Sequence, residues 1–162
     1  NIYTCEVSGS FSIFTRNDEI MSLSGAHMPN KTNDDVEAFK ADAAWIQYFP
    51  RGLSKYFKNL VSILINMSRM KELSQADMKP FRKLKHLDLF ENRIEYLQRD
   101  LFKYNEELEV VWFSSNRIKV IHETAFDGPR NLKKMYMGGN VCIRESADTE
   151  LGVSFNLLTT WK

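Results

Sequence analysis

Apolar residues recur along this chain in one figure repeated at a fixed interval. Leu84, Leu87, Leu89, Ile94 and Leu97 surround Asn92, and the same spacing returns as Leu108, Val111, Phe113, Ile118 and Ile121 around Asn116. It starts again at Leu132, Met135 and Met137 with Asn140, and Cys142 takes the slot of Ile94 and Ile118. Earlier, Leu60, Ile63, Ile65, Ser68, Met70 and Leu73 fill the figure, and before them Val36, Phe39, Ala41, Ala44, Ile46 and Phe49. Five units therefore begin at 36, 60, 84, 108 and 132, and the interval between them never varies.

Positions four and six of each unit are apolar with a free position between them. That period-two alternation predicts a short strand burying one face per unit. Stacked units pair these strands in parallel, about 4.8 Å apart. Asn92, Asn116 and Asn140 stand where the chain leaves the strand, and an Asn there can satisfy backbone groups of its own and neighbouring turns. Met70, Met78, Met135 and Met137 fall in core slots, where a flexible thioether fills gaps. No unit can bury its apolar face alone, so its neighbours supply the core and the ends need caps.

These motifs are strongly similar to the leucine-rich-repeat family in its 24-residue extracellular form, LxxLxLxxNxLxxLxxxxFxxxxx. Phe102 and Phe126 fill that family's Phe slot, Met78 takes it one unit earlier, and Phe49-Pro50-Arg51-Gly52-Leu53 looks like its LPxxL turn. The resemblance covers roughly residues 36–142. It implies a single-domain α/β solenoid: a short right-handed horseshoe with a parallel concave sheet and a mostly irregular convex side. Residues 1–35 are read as an N-terminal cap whose β-prone stretches, 11–14 and 20–23, flank a polar turn at 16–19 and pair with the first repeat. Residues 143–162 are read as a C-terminal cap or tail. The segment with Tyr3-Thr4-Cys5 and the 49–53 turn is most similar to secreted insect leucine-rich-repeat proteins, including those of mosquito immunity. That implies innate immune recognition or a salivary effector role.

Composition excludes more than it identifies. Among 162 residues, 22 Lys and Arg nearly balance 21 Asp and Glu, for a net charge of +1. That argues against a nucleic-acid binder, which needs a concentrated basic field. No apolar run approaches the length of a membrane span. Asn30-Lys-Thr32 and Asn66-Met-Ser68 are glycosylation sequons, and the chain begins at Asn1 rather than Met. With the repeat type these point to a secreted, extracellular glycoprotein. Cys5 and Cys142, at opposite ends of the stack, would lie roughly 20 Å apart, beyond the ~7 Å between Cα atoms that a disulfide spans. An internal bond is not expected. Free thiols, partners outside this chain or an intermolecular link through Cys5 remain open. Extracellular relatives usually close their caps with disulfides, and two cysteines depart from that pattern.

No catalytic motif or metal-ligand spacing stands out. His27, His86 and His122 are far apart in sequence, and the Asp34-Asp35 pair reads as a solvated loop. No enzyme, cofactor or metal is expected. A binding surface is expected instead, on the outward strand positions. Leu64, Phe90, Trp112 and Tyr136 are read as an apolar, largely aromatic band across the concave face, with His86, Asp88 and Val110 beside it. Exposed aromatic residues in such a patch mark partner sites. The expected partner is a protein or a glycan; the competing reading is a self-associating structural protein, a homodimer through the band. A glycan on Asn66 would mask part of that site. Arg69, Arg93 and Arg117 form a column beside the Asn ladder, placed to pair Glu91 or Glu95 or to meet an acidic partner.

Overall fold

The structure is a computed structural model that describes residues 2–7 and 11–141. Cys142 and the expected C-terminal cap at 143–162 lie outside the described residues. In chain order the elements are β1 (Thr4–Val7), β2 (Ser12–Ile13), a 3-10 turn (Asn33–Asp35), β3 (Ala38–Asp42), β4 (Trp45–Ile46), α1 (Leu53–Tyr56), β5 (Ser62–Asn66), α2 (Gln75–Met78), β6 (His86–Asp88), β7 (Tyr96–Leu97), β8 (Val110–Trp112), β9 (Val120–Ile121) and β10 (Lys134–Tyr136).

Six strands form one parallel sheet in the order β1-β3-β5-β6-β8-β10. Ala38, Ser62, His86, Val110 and Lys134 stand in register, each one full repeat after the last. The alternating pattern turns Phe39, Ala41, Ile63, Ile65, Leu87 and Val111 inward, all fully buried. A one-residue slip would turn that set outward, so the pattern itself fixes the register.

The convex side is built from single turns and two small parallel ladders, β2–β4 and β7–β9. Ser74 and Asp77 start α2 with a reciprocal capping box, which satisfies amides that so short a helix cannot pair internally. Phe102 packs between Phe113 and Phe126, at centroid distances of 6.3 and 5.1 Å. Met70 and Met78 are fully buried, while Met135 and Met137 are partly buried.

The Asn ladder stitches each turn to the one before it. Asn92 accepts from the Ser68 and Met70 amides at 3.2 and 2.9 Å and donates to the Ile65 and Leu89 carbonyls at 2.6 and 3.1 Å. Asn116 accepts from Ile94 and donates to Leu89 and Phe113, and Asn140 does the same with Ile118, Phe113 and Met137. In the second unit Ser68 performs a shortened version, donating to the Asn66 carbonyl at 2.7 Å.

The N-terminal segment departs from the expected strand positions. Thr4–Val7 enters the main sheet itself, with Cys5 opposite Phe39. Of the stretch 11–14 only Ser12–Ile13 pairs, with Trp45–Ile46. The stretch 20–23 forms no strand; Ile20 is buried, and its amide donates to the Arg51 carbonyl at 2.9 Å. The segment is thus a longer turn of the solenoid. More chain separates Cys5 from its partner Phe39 than separates Phe39 from Ile63, and this hides the alternation of Tyr3, Cys5 and Val7 from a search at fixed period. Cys5 faces the core half-buried, and burial pushes its thiol pKa up.

Each of the five turns from β3 onward leaves the main sheet through a left-handed residue. Ala43, Met67, Glu91, Ser115 and Gly139 have φ of 52°, 52°, 54°, 57° and 72°. Four of these are not glycine, so the reversal is imposed by the stack rather than by local preference.

Candidate functional site

The concave face of the main sheet presents its outward side chains in rows. Register aligns Glu6, Lys40, Leu64, Asp88, Trp112 and Tyr136 in the central row. Thr4, Ala38, Ser62, His86, Val110 and Lys134 form the row on one side. Asp42 and Asn66 begin the row on the other side, where Phe90 follows by the same period.

The expected aromatic band is therefore divided. Trp112 and Tyr136 stack directly, with centroids 4.2 Å apart and planes 7° from parallel. Phe90 lies one row away and is 37% exposed. Leu64 is separated from Trp112 by Asp88, which occupies the strand between them. The structure thus brings Trp112 and Tyr136 together, places Phe90 and Val110 in the flanking rows, and leaves Leu64 across a carboxylate.

That carboxylate anchors a polar cluster. Asp88 accepts from the Phe90 amide at 3.0 Å and from Asn66 Nδ2 at 3.2 Å. Its burial pushes the carboxyl pKa up, these two hydrogen bonds hold it partly back, and the nearby Asp42 charge pushes it further up. Lys40 bridges Glu6 and Asp42 at 2.9 and 3.0 Å. One oxygen of Asp42 is buried without a hydrogen-bond partner. The concave face consequently divides into a polar half around Lys40, Asp42 and Asp88 and an aromatic half around Trp112 and Tyr136. The polar half was not evident in sequence, because Lys40, Asp42 and Asn66 look like ordinary surface residues until the register aligns them.

The two sequons occupy different settings. Asn30 is exposed in a turn with φ of 64°, and Thr32 opens the following 3-10 turn with Asp35. Asn66 lies inside β5, donates to Asp88 and accepts from the Phe90 amide at 3.2 Å. The Ser68 hydroxyl of its sequon is fully buried.

The histidines do not meet. His27 bonds Tyr3 and Asn33, His86 stands in a concave row, and His122 bonds Thr124 and Arg99. Among the described residues no group of three or more His, Cys, Asp or Glu is placed to hold a metal ion. Also among them, no helix is long and apolar enough to cross a membrane.

The arginine column separates. Arg69 lies over the Trp45 ring at 3.8 Å. Arg93 and Arg117 line a groove on the flank of the solenoid instead. Glu95 takes its hydrogen bond from Lys119, at 2.9 Å, rather than from the column.

Comparison with known proteins agrees with this geometry. A sequence profile described as leucine rich repeat matches residues 82–141. The fold is similar to a chain in the structure of the Toll–Spatzle complex of Drosophila, with a TM-score of 0.62 and 18% identity over 67% of this chain. It is also similar to a leucine-rich-repeat protein of Leptospira interrogans, with a TM-score of 0.57 and 15% identity over 70% of this chain. The chain spans only 14% and 28% of those two chains. No curated protein matches it by sequence. The chain folds as a parallel-stranded leucine-rich-repeat solenoid, and residues 82–141 carry the sequence signature of the leucine-rich-repeat family.

Proposed function

We propose that this chain is an extracellular recognition module that binds a protein partner on the aromatic half of its concave face. The observation that carries the proposal is the Trp112–Tyr136 stack, 4.2 Å between centroids, on the outward side of a sheet whose inner face is already filled. Two stacked rings give a rigid apolar platform that costs little side-chain entropy to bury, and Trp and Tyr are the residues that concentrate binding energy. Phe90 widens the platform, and Asp88 with Lys40 supplies a polar border that sets orientation.

The similarity to the Toll–Spatzle complex, a molecular hub in Drosophila development and innate immunity, supports a protein ligand and an immune role. Secretion accords with the exposed sequon at Asn30, which we propose as the glycosylated one. Asn66 is proposed to stay unmodified, because both polar atoms of its amide are engaged within the sheet.

Affinity capture from the extracellular fluid of the source organism, with wild type and a Trp112→Ala/Tyr136→Ala variant, tests the reading. A captured protein should bind the purified wild type directly, and the variant should lose about tenfold or more in affinity. Equal binding by both proteins defeats the concave proposal. Light scattering on both proteins covers self-association: a dimer that dissociates in the variant makes a second copy the partner.

A further inference from the structure

The flank of the solenoid contains a second feature that the concave face does not use. Beyond the Asn ladder, successive turns are joined by backbone hydrogen bonds. The Lys71 amide donates to the Gln47 carbonyl at 2.9 Å, and the Lys119 amide donates to the Glu95 carbonyl at 2.9 Å, each across one repeat. The same register calls for the Glu95 amide to donate to the Lys71 carbonyl. That bond is not made. One step along, where the His122 amide donates to the Leu97 carbonyl, the homologous Gln98 amide does not reach Leu73; the Gln98 side chain spans the gap instead, donating to the Leu73 carbonyl at 3.3 Å. The ladder is therefore open between residues 71–73 and 95–97. β7 pairs only with β9, and its other edge stays against the preceding turn, held by the Arg93 amide on the Met70 carbonyl at 2.8 Å and by the Gln98 side chain on Leu73.

A groove of about 600 Å³ lies at this break. Its walls carry Arg16, Lys71, Arg93 and Arg117 against two carboxylates, Glu72 and Glu95. Both carboxylates are already occupied: Glu72 pairs with Arg16, and Glu95 pairs with Lys119, which holds the Glu95 carboxyl below its usual range together with the charge of Arg117. Among the described residues, neither Arg93 nor Arg117 forms an ion pair, Arg117 acting on Glu95 only at longer range, and Lys71 lies over the Tyr48 ring, 5.8 Å from its centroid. Tyr96 supplies an exposed ring beside them.

We propose that this groove binds an extended acidic peptide segment, laid across both turns with its carboxylates on Arg93 and Arg117. An extended chain alternates its side chains, so carboxylates at every second residue share one face. Guanidinium groups take carboxylates in paired hydrogen bonds. Two guanidinium groups outside any ion pair match a peptide with a few spaced carboxylates rather than the dense charge of a sulfated glycan. This site is independent of the concave one.

A fluorescein-labelled octapeptide of alternating Glu and Thr is the probe, followed by polarisation and by amide chemical shifts of the labelled protein. The proposal expects saturable binding that moves the Glu95 to Gln98 amides. The Arg93→Ala/Arg117→Ala variant should weaken it about tenfold per lost pair, whereas Arg130→Ala/Lys133→Ala, with the same charge loss elsewhere, should leave it near wild type. Circular dichroism melts confirm that each variant is folded, and Arg93→Lys/Arg117→Lys should fall between wild type and the alanine variant. Equal weakening by both alanine variants, shifts centred on Trp112 and Tyr136, no saturable binding, or a heparin hexasaccharide that occupies the groove more tightly than the peptide would each overturn it.

Discussion

Replacing Asn92 with alanine tests what joins the turns. Its side chain accepts from the Ser68 and Met70 amides and donates to the Ile65 and Leu89 carbonyls, with a longer contact to the Phe90 carbonyl at 3.3 Å. Neither the Ser68 nor the Met70 amide has another partner. Each buried donor left unpaired costs about 1–3 kcal/mol, so the two amides alone account for roughly 2–6 kcal/mol. The carbonyls lose less, because a carbonyl keeps a second acceptor site. A loss of about 3 kcal/mol is expected, with Ser68→Ala as the internal reference at about 1 kcal/mol, since it removes one short bond and two of 3.3 Å. Urea unfolding followed by circular dichroism reads both. With a slope of about 1–3 kcal/mol/M, the Asn92 variant should shift its midpoint by at least about 1 M. An Asn92→Ala variant no less stable than Ser68→Ala would refute the view that the ladder, rather than the packed leucines, locks turn to turn.

Two further outcomes follow from particular atoms. Gly128→Ala would place a Cβ 2.0 Å from the Phe102 carbonyl oxygen and 2.7 Å from the Lys103 Cα; because these are backbone atoms the turns must separate, and a thermal melt should show a loss of about 1–3 kcal/mol, whereas an unchanged melting temperature would mean that the convex side yields freely. Asp88→Asn removes a carboxyl whose pKa is raised in the fold: its ionisation is favoured in the unfolded chain, so the wild type loses stability as pH rises from the ordinary Asp value through the raised one. The variant should accordingly gain on the wild type above that window and match it near pH 3 in paired urea titrations; a gap that is constant with pH would contradict the assigned cause.

The repeats were legible because burial imposes a period. Leu84, Leu87 and Leu89 cannot be moved without exposing apolar surface, so their spacing announces the strand and its inward face. The first turn was illegible for a related reason. Tyr3, Cys5 and Val7 alternate correctly, but the extra residues before Val36 break the interval that makes the other turns recognisable. The concave site was legible only in part. Trp112 and Tyr136 fall in one row by counting, and the same count puts Asp88, not Phe90, in that row between Leu64 and Trp112. The flank groove could not be read at all, because a missing Glu95-to-Lys71 bond leaves no trace in residue type. Asn105 shows the same limit: it is fully buried and donates to the Met78 and Phe81 carbonyls at 3.0 and 2.8 Å, outside the main ladder.

The left-handed column sets a minimum length for the array. A left-handed residue other than glycine carries roughly 1–2 kcal/mol of conformational strain, and only contact with neighbouring turns holds it there. An interior turn such as that of Met67 or Glu91 is clamped from both sides. A turn at an end keeps the full strain with half the clamp, so it is the first to relax, and a shortened array carries a larger share of such turns. Gly139, the one residue of the column that adopts this conformation without penalty, belongs to the last of the described turns.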